Sequence, residues 1–356
     1  MQALNYTAQA IEDLGGFGQS VAAVGMAHDS EIVSVLARQL SRSTVFALPE
    51  EGRLFDDRLR GLSDLPLRLP FPAVALEYRV SQPSEAVQNG QLLHAPRRVI
   101  LATELHADGR GMAWLPSDLR VELTQLLADQ EGVGVLVFSA HSDLVPGVDR
   151  QSPFAPDPTA WLLPSRYPTL EETQAKLDKW TKTPMDPELA RVGINNSPHS
   201  SLVPGRPLYA LKDLLTLSHK NNRHYTREQM IASLNQDIAQ EALVVLEFIE
   251  ACSCANVEHQ VIQAAPKDGV AARRARDGKL PLLETRSLSL TLPGHRAQGS
   301  AFDSLRGGRA SPRQHLRRGH IRRLEDGRRI WVQSAVVGAT DSGRIDKHYA
   351  VRPRVA

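Results

Sequence analysis

Apolar residues recur along this chain in two rhythms. Three- and four-residue steps mark one face of a helix, and alternation or short apolar runs mark strands. The helical rhythm appears first at Ile32, Val33, Val35, Leu36 and Leu40, with Asp29 or Ser30 placed to cap it. Val45–Leu48 reads as a short strand. A proline-punctuated stretch, Leu65–Pro72, leads into Ala73–Tyr78, and Arg98–Ala102 and Met112–Leu115 read as further strands. Pro116-Ser117 opens a helix bearing Leu119, Leu123, Leu126 and Leu127, and the β-branched run Val133–Phe138 has the length of a buried strand. Strands interleaved with helices predict an α/β or α+β fold for residues 1–146, a sheet with helices packed on it.

Residues 147–225 carry prolines at 153, 156, 158, 164 and 168 and read as a linker followed by a helical segment. Thr169-Leu170-Glu171-Glu172 fits a capping box. The clearest element spans 226–251. Thr226-Arg227-Glu228-Gln229 is a second capping box, and Ile231, Leu234, Ile238, Ala242, Val245 and Ile249 form one apolar face behind it. The period then changes. Val257–Ala264 and Leu282–Leu292 alternate, with a basic loop, 267–279, between them. Two strands flank Asp326-Gly327, and a last strand covers Ile345–Val351. Residues 226–356 are therefore expected to form a C-terminal α+β module with one long helix and a small antiparallel sheet.

Charge adds what periodicity does not show. The net charge of +2 conceals an excess of 11 positive charges in residues 257–356, which hold 3 Lys and 17 Arg against 6 Asp and 3 Glu. The preceding 256 residues carry a net charge of −9. An acidic body joined to an Arg-dense end predicts a polyanionic partner, RNA or DNA, for that end. Arginine suits the task because its planar fork binds phosphate through paired hydrogen bonds and stacks on rings. The alternative is that the basic end neutralises the acidic body.

The start, Met1-Gln2-Ala3-Leu4-Asn5-Tyr6, has neither the basic nor the apolar region of a secretory signal, and no apolar run is long enough to span a membrane. Cys252 and Cys254 lie too close together to pair readily and read as reduced thiols. The expected location is the cytoplasm, with no membrane partner.

A two-residue loop at Asp326-Gly327 would set Arg322 opposite Trp331, Arg323 opposite Ile330 and Ile321 opposite Val332. His320, Arg322, Arg329 and Trp331 would then share one face, a cationic platform with an indole on which a base can stack. Arg313, His315, Arg317 and Arg318 upstream, and Lys347 on the last strand, add cationic donors. Catalysis is the second expectation. His315, His320, His348 and Tyr349 are the residue kinds that metal-independent RNA cleavage requires for proton transfer. A helix followed by a small sheet is also similar to the RelE-like ribonuclease toxins at the level of fold.

Other signals carry less. Cys252 and Cys254 with His259 lack the fourth ligand and the spacing of a zinc site. Gly15-Gly16-Phe17-Gly18-Gln19-Ser20 lacks the ending of a phosphate-binding loop and reads as a turn. Ser139-Ala140-His141-Ser142-Asp143 holds the residues of a triad without its geometry, and His141 and Asp143 stand as candidates because they follow the most apolar strand. His219–His224 reads as an exposed turn. No cofactor is implied.

Several segments resemble a family of uncharacterised proteins of tailed phages and prophages. They are Leu69–Pro72 leading to Leu76-Glu77-Tyr78, Ala242–Cys252 leading to Lys279-Leu280-Pro281-Leu282, and Ser311–His320 through Trp331-Val332. The resemblance implies a phage context in a host cytoplasm and brings no activity with it. The expected function is nucleic-acid binding or regulation through the Arg-rich end. The alternatives are a ribonuclease and an interaction protein that modulates a host complex.

Overall fold

The computed structural model describes residues 3–55, 66–80, 87–88, 91–92, 96–128, 132–143, 152–167, 171–172, 175, 178, 203–221, 226–290, 313–317, 320–332, 335–337 and 339–345. It divides into two compact units. The first comprises 1–54, 62–252 and 259–288, and the second 55–61, 253–258 and 289–356.

The first unit is a mixed α/β body built on one nine-stranded sheet. In chain order its elements begin with helices α1 (Tyr6–Ala23) and α2 (Ala27–Leu40) and strands β1 (Thr44–Ala47) and β2 (Ala73–Arg79). A two-residue ladder, β3 (Val87–Gln88) with β4 (Gln91–Leu92), stands apart from the sheet. Then come β5 (Arg97–His106), α3 (Ser117–Ala128), β6 (Val133–Ser142), β7 (Ala155–Pro156), β8 (Ala160–Leu163) and β9 (Arg206–Leu208). Helices α4 (Lys212–Asn221) and α5 (Arg227–Cys252), strand β10 (Val257–Gln263), helix α6 (Asp268–Arg276) and strand β11 (Thr285–Leu290) complete the series.

The strand order is β10-β11-β1-β2-β5-β6-β8-β9, with β7 paired to β6. β1 runs parallel to β2 and β11, while β2, β5, β6 and β8 pair antiparallel in turn. The central strands are apolar on both faces because both are covered, which is why β6 reads as a continuous hydrophobic run. Ala75, Val99, Leu101 and Phe138 face a core shared with α1, α2, α3 and Leu211 at the start of α4. Val74, Leu76, Ile100, Ala102, Val135 and Val137 face a second core formed with α5.

The long helix is where the boundary read from sequence differs from the observed one. The capping box forms as expected: Thr226 N donates to Gln229 Oε1 (2.8 Å), and Gln229 N donates to Thr226 Oγ1 (3.2 Å). Yet the apolar face behind it, Ile238, Ala242, Val245 and Ile249, is buried in the second core of the first unit rather than in a C-terminal module. A helical stripe specifies that a face will be buried and is silent about the sheet that buries it. Likewise β7, β8 and β9 extend the sheet from within 147–225, the stretch expected to link modules.

Three local expectations also change. Gly15, Gly16 and Gly18 are helical, inside α1. Gly18 O accepts a hydrogen bond from Ser30 Oγ of α2 (2.8 Å). Residues 112–115, expected as a strand, form turns. Residues 267–279, expected as a loop, contain α6, whose Ala- and Arg-rich composition favours a helix despite Gly269.

Two helices are capped from a distance. Asn5 at the start of α1 makes no side-chain cap. Glu77 of β2, fully buried, fills that role by accepting hydrogen bonds from Leu4 N (3.1 Å), Asn5 N (3.2 Å), Thr7 N (3.0 Å) and Thr7 Oγ1 (3.2 Å). Asp29, expected to cap α2, is buried in its first turn and accepts from Leu214 N at the start of α4 (2.7 Å). In both cases a carboxylate satisfies the orphan amides of a helix N-terminus and meets its positive end.

The second unit holds β12 (Arg313–Arg317), β13 (His320–Arg323), β14 (Arg329–Val332), β15 (Ala335–Val337) and β16 (Ala339–Ile345). β12 pairs antiparallel with β15 and parallel with β16, so the expected purely antiparallel sheet is a mixed one. β13 and β14 form a separate antiparallel hairpin. No helix among the described residues is long and apolar enough to cross a membrane.

Replacing Glu77 by Ala should leave the first amides of α1 without acceptors and cost about 3 kcal/mol. The check is the urea unfolding midpoint, together with faster hydrogen exchange at Thr7. Glu77→Gln keeps one acceptor oxygen and should lose less.

Candidate functional site

The sequence placed a binding face on the hairpin of the second unit, and the turn of that hairpin decides which of its residues share a face. Gly327 N donates to Leu324 O (3.0 Å), Leu324 N donates to Arg328 O (2.7 Å), and Gly327 has φ 83°. The loop is thus three residues, Glu325-Asp326-Gly327, with glycine in the left-handed position that closes such loops. The register shifts by one from the two-residue expectation: Ile321 lies opposite Trp331, Arg322 opposite Ile330 and Arg323 opposite Arg329. Because side chains alternate, one step moves a residue to the other face. Arg322 and Trp331, expected side by side, lie on opposite faces.

Trp331 is half-buried and packs on Phe55, the ring centroids 4.9 Å apart at 59°. Its backbone N donates to Asn256 Oδ1 (2.7 Å) and its carbonyl accepts from Asn256 Nδ2 (2.8 Å). Arg329 is buried, while Arg322 and Arg328 are exposed, Arg328 pairing with Asp326 at 2.7 Å. Arg313, His315 and Arg317 lie on β12, and His320 on β13, so His315 and His320 belong to different ladders. Arg318, Lys347, His348 and Tyr349 lie outside the described residues.

The first unit contains a polar cluster that includes His141 and Asp143. Tyr78, Arg98 and His141 stand in register across β2, β5 and β6, on the face that α5 covers. Helix α5 presents Asp237 and Glu241, four residues apart and therefore on one side of the helix. Arg98 Nη1 lies 3.3 Å from Glu241 Oε1, and Tyr78 Oη donates to Glu241 Oε2. His141 Nδ1 lies 3.1 Å from Asp157 Oδ1 and its Nε2 3.8 Å from Asp143 Oδ1. Asp157 is buried, whereas His141 keeps 25% of its side chain exposed, so the cluster reaches solvent at its His141 end.

The electrostatics follow from this crowding. Burial acts to lower the His141 pKa, but the charge and hydrogen bond of Asp157 outweigh it and raise the value to about 8. For Asp157, burial acts upward and is outweighed by His141 and Arg98, so its pKa is lowered. Burial raises Glu241 against the pull of Arg98 and Tyr78. Asp237 is exposed on α5, although protein crowds around it. Burial first, and the charge of Asp157 next, raise its pKa to about 7. The cluster thus holds two groups that change charge near neutral pH.

An oriented, partly exposed imidazole is able to exchange a proton. The neighbouring serines do not complete a triad with it. Ser142 Oγ is engaged with Arg97 Nη2 (2.6 Å) and Ser152 O (2.6 Å), and Ser139 is buried. The arrangement acts as an ionic lock between the sheet and α5. Of its members, the sequence singled out only His141 and Asp143. Arg98, Asp157, Asp237 and Glu241 carry no local signal, since strand pairing and a helix distant in the chain bring them together. His259, a candidate zinc ligand from sequence, packs edge-on to Phe46 (5.3 Å) and tilted against Phe71 (5.6 Å), and no group of three metal-competent side chains occurs among the described residues.

No family model, curated protein or solved structure matches the chain.

His141 and Asp237 both have folded-state pKa values above their ordinary ones, 6.5 and 3.8. Each contributes stability that is complete below the ordinary value and lost as pH rises through the folded one. Thermal stability should fall as pH rises through about 7 for Asp237 and about 8 for His141. In Asp237→Asn the unfolding temperature should match the parent at acidic pH and exceed it above the Asp237 value. A variant that tracks the parent at every pH would remove Asp237 from the cluster.

Proposed function

We propose that this chain binds nucleic acid through the exposed arginines of its last hundred residues, with α6 as the principal contact. The observation that carries the reading is that α6 buries none of its residues and bears Arg273, Arg274 and Arg276 in its last turn. A nine-residue helix is marginal in isolation. This one gains an anchor from Arg274, whose Nε and Nη2 donate to Leu280 O (3.0 and 2.8 Å). Arg273 and Arg276 are exposed and form no ion pair with a described residue, and Lys267 and Lys279 flank them. Part of the arginine placement serves the helix itself, since cations at a C-terminus meet its negative end. That role needs one cation and leaves the others unexplained.

Arg322 and Arg328 add exposed cations on the second unit's hairpin. Trp331, packed on Phe55, has less face to offer a base than the sequence suggested. The binding is accordingly read as phosphate contact, which gives affinity without sequence preference. In the phage setting that the sequence resemblance implies, the partner is RNA or DNA in an infected cell.

The test is binding of a labelled RNA of about 20 nucleotides and of a DNA duplex of about 20 base pairs at several salt concentrations. Affinity should fall steeply with salt. Arg273→Glu with Arg276→Glu should weaken binding at least about tenfold and reduce the salt slope by about two, one for each phosphate no longer engaged. Both residues are exposed, so unfolding free energy should fall by no more than about 1 kcal/mol, the loss of favourable charge at the α6 C-terminus. Salt-insensitive binding, or a double variant that binds like the parent, would end this reading. Recovery of a protein partner from nuclease-treated lysate, with no nucleic-acid binding, would overturn it in favour of an acidic protein surface.

A further inference from the structure

The first unit contains a cavity that neither the ionic cluster nor the basic helix uses. It has a volume of about 490 Å³ and lies between one side of α2 and the turn before α3. That volume is within the range of small-molecule sites, roughly 300–1,000 Å³.

The wall from α2 brings Glu31, Arg38 and Arg42 to the cavity. Their spacing of seven and four residues keeps them along one side of the helix and just beyond its end. Arg38 and Arg42 are exposed and form no ion pair with a described residue. Two guanidinium groups about one turn apart, without carboxylate partners among the described residues, are suited to a phosphate or carboxylate.

The opposite wall is rigid. Gly111 sits at φ +78°, and a Cβ there would come 2.1 Å from Glu104 O, so the turn closes against β5 more tightly than any side chain permits. Within the turn, His106 N donates to Arg110 O (3.0 Å), Met112 N to Gly109 O (3.1 Å) and Leu115 N to Met112 O (2.9 Å). This turn holds Trp114, half-buried and edge-on to Phe138 at 6.3 Å. Two polar atoms of the cavity-lining residues, Trp114 Nε1 and Thr103 Oγ1, are sealed from solvent without a hydrogen-bond partner.

We propose that this cavity is a binding site for a nucleoside monophosphate or a closely similar phosphorylated ring compound. Arg38 and Arg42 hold the phosphate, the Trp114 wall receives the planar ring, and Glu31 accepts from an exocyclic amine. The proposal is independent of nucleic-acid binding by α6, because it uses different residues and a mononucleotide as ligand.

The experiment is calorimetric titration of the full chain with AMP, GMP, CMP and UMP, with adenosine and inorganic phosphate as separate arms. At least one monophosphate should saturate in the micromolar to low millimolar range, at least about tenfold tighter than adenosine or phosphate alone. Arg38→Ala with Arg42→Ala should weaken that binding at least about tenfold while leaving the unfolding temperature and RNA affinity unchanged. The ligand should quench tryptophan emission in the parent and in the arginine-to-alanine pair at its own saturation, and much less in Trp114→Phe. Absence of saturation by all four up to about 10 mM overturns the proposal, as does unchanged affinity in the arginine variant. Phosphate binding as tightly as the nucleotides would overturn the ring's part in it.

Discussion

The first unit depends on two adjacent residues of one strand. Glu77 and Tyr78 are neighbours in β2, so their side chains leave the sheet on opposite faces. Glu77 accepts the first amides of α1 on one face. Tyr78 donates to Glu241 of α5 on the other. Both helical layers are thereby referenced to the same strand. The apolar cores give the layers their adhesion, but apolar packing is non-directional, and these hydrogen bonds fix where each helix sits.

The same economy changes the meaning of the acidic body. Its net charge of −9 looks, in sequence, like a surface property. Several of the carboxylates responsible are instead internal. Glu77 and Asp29 cap helices, Glu247 accepts from Leu54 N (2.8 Å), Asp157 holds His141, and Glu241 holds Arg98. The acidic excess of this region is thus partly structural, and it need not meet the basic end of the chain to be neutralised. The arginines of α6 have no comparable internal employment, apart from Arg274. That contrast, more than the totals, supports an external partner for them.

Charged groups gathered on the α5 face also give the first unit a sensitivity that its apolar cores lack. Arg98 and His141 are set by strand register, Asp237 and Glu241 by helical repeat, and Asp157 by the chain entering β8. Each position is ordinary for its element, and the cluster arises where the three regularities intersect. Breaking one partner of such a pair strands a charge in protein and costs more than the pair itself stabilises.

The sequence by itself determined the elements whose information is local. The apolar period of 226–251 and its capping box placed α5 to within a residue, and the central strands β2, β5 and β6 were legible as apolar runs. It also determined the charge asymmetry. Tertiary structure alone decided which surface each element meets, because burial is non-directional and a stripe does not name its partner. It drew α5 onto the N-terminal sheet and turned Glu77 and Asp29 into caps for helices elsewhere in the chain. It also assembled the cluster around His141 from residues as far apart as Tyr78 and Glu241. The hairpin shows the finest division. Asp326-Gly327 announced a turn, but the hydrogen bonds of Leu324 chose a three-residue loop over a two-residue one. That single step, through the alternation of strand side chains, separated Trp331 from Arg322.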